Sequence, residues 1–235
     1  MSKNMTVEKT FASAIQNHQK NNFKAAEDLY NQILEIDPNH IKTIFFLGTL
    51  SVQTKNFDRA KQMLQKTIQA QPNNVDAYNN LGVVFKEFEE FQKAKDCFEK
   101  VIQIQPKHVE ALNNLGNVFK QLNEPQKAIN YYQKAIEIEP SYINAHQNLM
   151  DVCEKTNQIT ELKDAVSNAR TFFKDNSIIK LYEGILLSRN EKFVEAKNCL
   201  KLISFETSEI NKEILRVSTL AKCYDRIGDT DKAFN

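Results

Sequence analysis

The sequence predicts an all-α chain, an array of antiparallel helix pairs, and three observations predict it. The first is an internal period. Pro38, Pro72, Pro106 and Pro140 each stand 34 residues apart. Ala26, Ala60, Ala94 and Ala128 hold the same spacing, with Ala196 two periods on. Gly48, Gly82 and Gly116 hold it too, and Gly184 follows two periods later. Chance does not align three residue types on one period, and such self-similarity marks a repeat architecture. The second observation is apolar spacing. Tyr78, Leu81, Gly82 and Phe85 follow i, i+3, i+4, i+7, which is one face of a helix. Phe91, Ala94, Phe98 and Val101 form another such stripe within the same period. The third is composition: 41% hydrophobic and 26% charged residues belong to a folded chain rather than a disordered one.

With proline at the thirty-second place of each unit, the repeats run 7–40, 41–74, 75–108, 109–142, 143–176 and 177–210. Three extra residues then shift the frame, and an incomplete seventh repeat runs 214–235. Each unit reads as two helices with a break such as "KEFEE" between them. In the seventh, Gly228 suits a left-handed helix end and Asp229 the cap of the next helix. Pro125 stands where the second helix of repeat 4 begins, a place that tolerates a missing N–H. The periodic prolines end the second helices. Small residues at the glycine and alanine places let the paired helices approach, while Leu81, Phe85 and Phe98 fill the space around the contact. Repeat 1 has Ser13 and Ala14 for the leucine and glycine, as suits a terminal unit. Repeat 5 is degenerate: Met150, Leu162 and Lys174 replace glycine, alanine and proline, which predicts a less regular helix crossing. Repeat 6 regains the small pair but has Glu183 for leucine. Ala233 and Phe234 continue a core-facing stripe, which leads us to expect a natural protein that runs on past Asn235.

The order L-G, then A-x3-F, then P on a 34-residue period resembles the tetratricopeptide repeat family over nearly the whole chain. Tyr78 and Leu112 stand where that family's pattern has tryptophan. The resemblance implies a right-handed superhelical solenoid of antiparallel helix pairs, a single domain over 1–235 with about seven repeats, the last truncated. It also implies an inner groove lined by the first helices, where protein or peptide partners bind.

Several function classes find no support in the residues. Lys plus Arg is 31 against 30 for Asp plus Glu, without the basic excess that nucleic acid favours. No apolar run approaches a membrane span or a signal peptide, so the expected place is the cytoplasm. Cys97, Cys153, Cys199 and Cys223 show no metal-site spacing and read as free thiols. No glycine-rich phosphate motif exists, which argues against a nucleotide cofactor, and we expect no metal and no catalysis within these residues. His18, His40, His108 and His146 are scattered. His40 and His108 read as surface residues of turns, and His146 as a satisfied, semi-buried core histidine.

If places 4, 7, 8 and 11 of a first helix are buried, places 2, 6, 9 and 13 face the other way. Place 6 reads Phe46, Asn80, Asn114, Asn148 and Tyr182; the flanking place 5 includes Asn79 and Asn113, and place 9 includes Asn117. An amide offers both donors and an acceptor, so a ladder of them can hold the backbone of an extended peptide. The "NNLG" arrangement is similar to that in the tetratricopeptide arm of protein O-linked N-acetylglucosamine transferases, where asparagines in this slot line the groove. That likeness carries to Asn80, Asn114 and Asn148. Plain solubility of a wet helix face explains the same residues equally well. Three function readings follow: an interaction scaffold holding an extended peptide or partner helix, the substrate-recruiting arm of a longer glycosyltransferase or sulfotransferase, and self-association through the uncovered C-terminal helix.

Overall fold

The computed structural model describes residues 2–228, and every regular element in them is helical. The expectations placed on Asp229, Ala233 and Phe234 lie outside the described residues. The helices fall into two compact units, Met1–Leu122 and Asn123–Asn235. The first holds α1 (Ser2–Gln19), α2 (Phe23–Ile36), α3 (Ile41–Gln53), α4 (Phe57–Ala70), α5 (Val75–Glu87), α6 (Phe91–Ile104) and α7 (Val109–Gln121). The second holds α8 (Pro125–Ile138), α9 (Ile143–Lys155), α10 (Ile159–Phe172), α11 (Ser177–Arg189), α12 (Phe193–Lys201) and α13 (Ile210–Arg226). The division falls between the two helices of repeat 4.

Two backbone joints recur. Each first helix stops at one residue in the left-handed region: Asn21, Lys55, Glu89, Asn123, Asn157, Glu191 and Gly228, with φ from 57° to 75°. The next N–H then reaches back five residues, as Glu90 N does to Phe85 O at 2.8 Å and Gln158 N to Cys153 O at 2.9 Å. This closes the carbonyls that the helix end leaves open. The second helices of repeats 1 to 4 end in a tight turn with proline at its second place, as where Asn74 N meets Gln71 O at 3.1 Å across Pro72. Lys174 replaces that proline in repeat 5, and the turn still closes, Asn176 N to Phe173 O at 3.2 Å.

The last residue of this turn caps the first helix of repeats 2, 3, 4 and 6, whereas Tyr142 makes no side-chain cap in repeat 5. Asn74 Oδ1 accepts from Ala77 N at 2.9 Å, and Asn176 Oδ1 from Ile178 N at 2.9 Å. His40 Nδ1 accepts from Thr43 N at 3.3 Å, and His108 Nδ1 from Ala111 N at 3.1 Å. These two histidines are therefore half-buried capping residues, not the idle surface residues their turns suggest.

Packing explains the small places. A Cβ on Gly82 would lie 2.7 Å from the Phe98 ring, and one on Gly184 2.5 Å from Leu200. Gly48 has slightly more room, 3.1 Å to Leu64. In repeat 5, Met150 and Leu162 are both wholly buried, so that pair holds two large side chains where the others hold small ones. Glu183 stays half-buried and pairs with Arg170 of α10 at 3.3 Å. The second helix of repeat 6 is shorter than its pattern predicts. α12 has 9 residues against 14 in α6, α8 and α10. A connector with a 3-10 turn at Thr207–Glu209 follows, and α13 starts at Ile210, ahead of the place where the repeat frame begins.

Candidate functional site

A first helix in this fold is buried more widely than four places. α5 touches α3, α4, α6 and α7. Accordingly Ala77, Asn79 and Val84, at places 3, 5 and 10, are buried together with Leu81, Gly82 and Phe85. On the face of α5 opposite Leu81, Gly82 and Phe85, Asn80 and Val83, at places 6 and 9, remain half-exposed.

This divides the predicted site residues. Asn80, Asn114, Asn117, Asn148 and Phe46 are half-exposed. Asn79 and Asn113 are buried, at 8% and 5% exposure, because place 5 lies against the neighbouring helices. Asn79 Oδ1 has no hydrogen-bond partner there. Tyr182 is likewise buried, at 3%. Burial, with Asp151 and Glu154 nearby, pushes its phenol pKa well above the ordinary value. The leading asparagine of each "NN" pair thus serves the interior, and only the second is presented outward.

Asn80 has a fixed orientation. Its Nδ2 donates to Thr49 Oγ1 at 3.1 Å. Thr49 Oγ1 spends its single proton on Phe45 O at 3.1 Å, so it can only accept from Asn80. The amide oxygen of Asn80 therefore faces away from Thr49, ready to accept from a backbone N–H. Thr49 escapes sequence reasoning because its role needs the neighbouring repeat, although its register, one repeat back at place 9, would have revealed it.

Phe46 closes the N-terminal core. It stacks on Tyr30 at 6.4 Å between centroids and meets Phe11 edge-on at 5.6 Å. It also lines a cleft of about 330 Å³ with Ile15, His18, Thr49 and Gln53. His18 is held by Tyr30 Oη at 3.2 Å and Gln53 Oε1 at 2.8 Å, a network that joins α1, α2 and α3. Burial raises the Tyr30 phenol to about 12, so it remains a neutral hydrogen-bonding group. Asn117 borders a smaller cleft of about 320 Å³ with Lys86, Glu89 and Lys120.

In the second unit, Asn148 lines a cleft of about 620 Å³ with Asp151, Lys212, Ile214 and Leu215. Its acids are balanced: Asp151 pairs with Lys155 at 3.1 Å and Glu154 with Arg189 at 3.0 Å. The α13 side was not foreseen, because the frame shift before it hides its alignment with earlier first helices. Ile210, Ile214 and Val217 leave an exposed apolar stripe on α13.

Cys97, Cys153, Cys199 and Cys223 are all free thiols. Among the described residues, no three His, Cys, Asp or Glu side chains gather as metal ligands, and no helix is long and apolar enough to cross a membrane.

Sequence models of the tetratricopeptide repeat family match 75–108, 109–142 and 18–82, together more than half of the chain. The chain belongs to the tetratricopeptide repeat family. No curated protein matches its sequence. Among solved structures, this tetratricopeptide-repeat chain is similar to MamA at 25% identity and a TM-score of 0.64, covering 72% of this chain and 92% of that one. A tetratricopeptide repeat protein from Parabacteroides merdae superposes with a TM-score of 0.74 at 15% identity, covering 97% and 93%. YrrB, a tetratricopeptide-repeat protein with an unusual peptide-binding site, gives 0.61 at 17%, covering 76% and 96%. The last two likenesses concern the fold alone.

Proposed function

We propose that this tetratricopeptide-repeat chain is a protein-interaction scaffold, which holds an extended segment or a helix of a partner against the half-exposed inner side of its first helices. The observation that carries this is the oriented amide of Asn80. One of its two N–H donors is spent on Thr49 and its acceptor faces away from Thr49, which suits the N–H of a peptide backbone. Asn114 in the same unit and Asn148 in the other occupy the same place. Each such bond contributes about 0.5–1.5 kcal/mol net, so several must act together. The peptide-binding site of YrrB, a fold neighbour, is in keeping with this use. The role is binding rather than catalysis, and four free thiols suit a cytoplasmic setting.

Self-association is a second reading, favoured by the apolar stripe of Ile210, Ile214 and Val217 on α13. A mass that rises with concentration in light scattering supports it, and a constant mass removes it. The reading as a recruiting arm of a longer transferase rests on the asparagine slot alone.

The scaffold is tested with a partner captured on the full chain. Replacing Asn80, Asn114 and Asn148 by alanine leaves helicity and melting nearly unchanged and weakens that partner's binding. Binding at wild-type strength by the triple variant refutes the amide contacts.

A further inference from the structure

Buried polar groups without partners fall into two kinds in this fold. Asn79 Oδ1, His146 Nδ1 and Ser188 Oγ are unpaired and sealed from solvent, so they reach no guest. His146 is wholly buried and satisfied at one nitrogen only, Nε2 at 2.9 Å from Pro140 O, which corrects the expectation of a satisfied, semi-buried histidine. Tyr182 of α11 is the other kind. It is only 3% exposed, and its hydroxyl has no hydrogen-bond partner among the described residues. That oxygen is not one of the sealed atoms, so it belongs to the small part of the residue that stays open. Tyr182 lines the cleft of about 620 Å³ between α9, α11 and α13, and the hydroxyl opens into it. Burial, with Asp151 and Glu154 nearby, holds the phenol pKa above its ordinary value, so the hydroxyl keeps its proton and is a donor.

The walls decide what that donor meets. Ile178, Ile214 and Leu215 make one side apolar, and Ile214 is 60% exposed. The charged groups of the cleft are already engaged: Asp151 with Lys155 at 3.1 Å, Glu154 with Arg189 at 3.0 Å and Lys212 with Glu209 at 2.7 Å. A charged guest would give up hydration there without gaining an unpaired counter-charge. An apolar side chain would instead cover Ile214 and gain by it. The shape of the guest follows from the donor. A helix uses its carbonyls internally, whereas an extended segment has carbonyls free to accept from Tyr182.

We propose that this cleft binds an uncharged, extended segment of a partner protein. A large aliphatic side chain of the segment lies against Ile178, Ile214 and Leu215, and an adjacent backbone carbonyl accepts from the Tyr182 hydroxyl. This rests on the scaffold reading and deepens it, because it gives the second unit a side-chain preference that amide contacts to a peptide backbone do not supply.

The test is an NMR titration of the full chain with labelled tyrosine and labelled backbone amides. The probe is an acetylated, amidated peptide of seven residues, leucine at its third and fifth places and serine elsewhere, since alternate residues of an extended chain share a face. Control peptides have lysine, glutamate or serine at both leucine places. The leucine peptide should move the Tyr182 ring resonance and the α13 amides to saturation, and the controls should not. Tyr182→Phe keeps the buried ring and should weaken the leucine peptide about fivefold, the loss of one hydrogen bond. Ile214→Ser, at an exposed place, should weaken it about tenfold with an unchanged circular dichroism spectrum. An unmoved Tyr182 resonance, equal binding of any control peptide, or full-strength binding by Tyr182→Phe overturns the proposal. So does a mass that rises with concentration in the wild-type chain but not in Ile214→Ser, because a second copy then covers this wall. Neither substitution alters Asn80, Asn114 or Asn148, so this site can fail while the asparagine contacts hold, and the triple variant decides those separately.

Discussion

Repeats 3 and 5 solve the same packing problem with opposite side chains. In α5 and α6, Gly82 leaves no room for even a methyl group beneath the Phe98 ring, and Ala94 is wholly buried. In α9 and α10 the corresponding residues are Met150 and Leu162, both wholly buried. The small residues that make the repeat recognisable are therefore not a requirement of the fold. They are one half of a matched volume, and each pair has its own match.

The largest effects test that match directly. Met150→Ala should cost about 2–5 kcal/mol, because a cavity opens where repeat 3 would have none. Gly82→Leu should cost about 3 kcal/mol through overpacking against Phe98. Urea denaturation measures both, and a neutral Met150→Ala would mean that repeat 5 closes up as repeat 3 does. A smaller effect of opposite sign is expected at place 5. Asn79→Leu should stabilise by about 1 kcal/mol by removing an unsatisfied buried oxygen. Gln147 in repeat 5 is half-exposed, and leucine there should leave the melting temperature nearly unchanged. At the left-handed joint, Glu89→Asn should gain about 0.5 kcal/mol in thermal unfolding, since asparagine accepts that conformation more readily. Repeat 5 already has Asn157 in that slot.

The last contrast is one of pH. His146 has a folded pKa below its ordinary value because of burial, so the unfolded chain binds a proton that the folded chain excludes. Its contribution is complete above the ordinary histidine value of about 6.5 and is lost as pH falls through it towards the folded value. The urea midpoint should therefore decline from about pH 7.5 to about pH 5.5. His146→Leu should flatten that slope, and a slope unchanged by the substitution would show that other groups cause it.

The helices could be read from the sequence because periodicity reports which faces are buried, and Leu81, Gly82 and Phe85 repeat that report. Pro125 opens α8, and Gly228 takes φ +75°. The candidate site was legible only by half. Spacing on one helix shows which residues share a face, but not how many helices crowd it. Asn79, Asn113 and Tyr182 were lost to neighbours that lie far off in sequence. His40 and His108 read only as surface residues of turns, whereas here Nδ1 does the work of an asparagine oxygen. The early end of α12 at Lys201 had no marker, since neither glycine nor proline stands near it.

The left-handed joints have an engineering consequence. Every one is solvent-facing, and the slot holds asparagine, lysine, glutamate or glycine without altering the backbone path. Side-chain identity is nearly free there while geometry is not. Such joints are seams: an epitope or fluorophore grafted beside Lys55 or Glu191 would meet solvent, and repeats could be exchanged between chains by cutting at that residue.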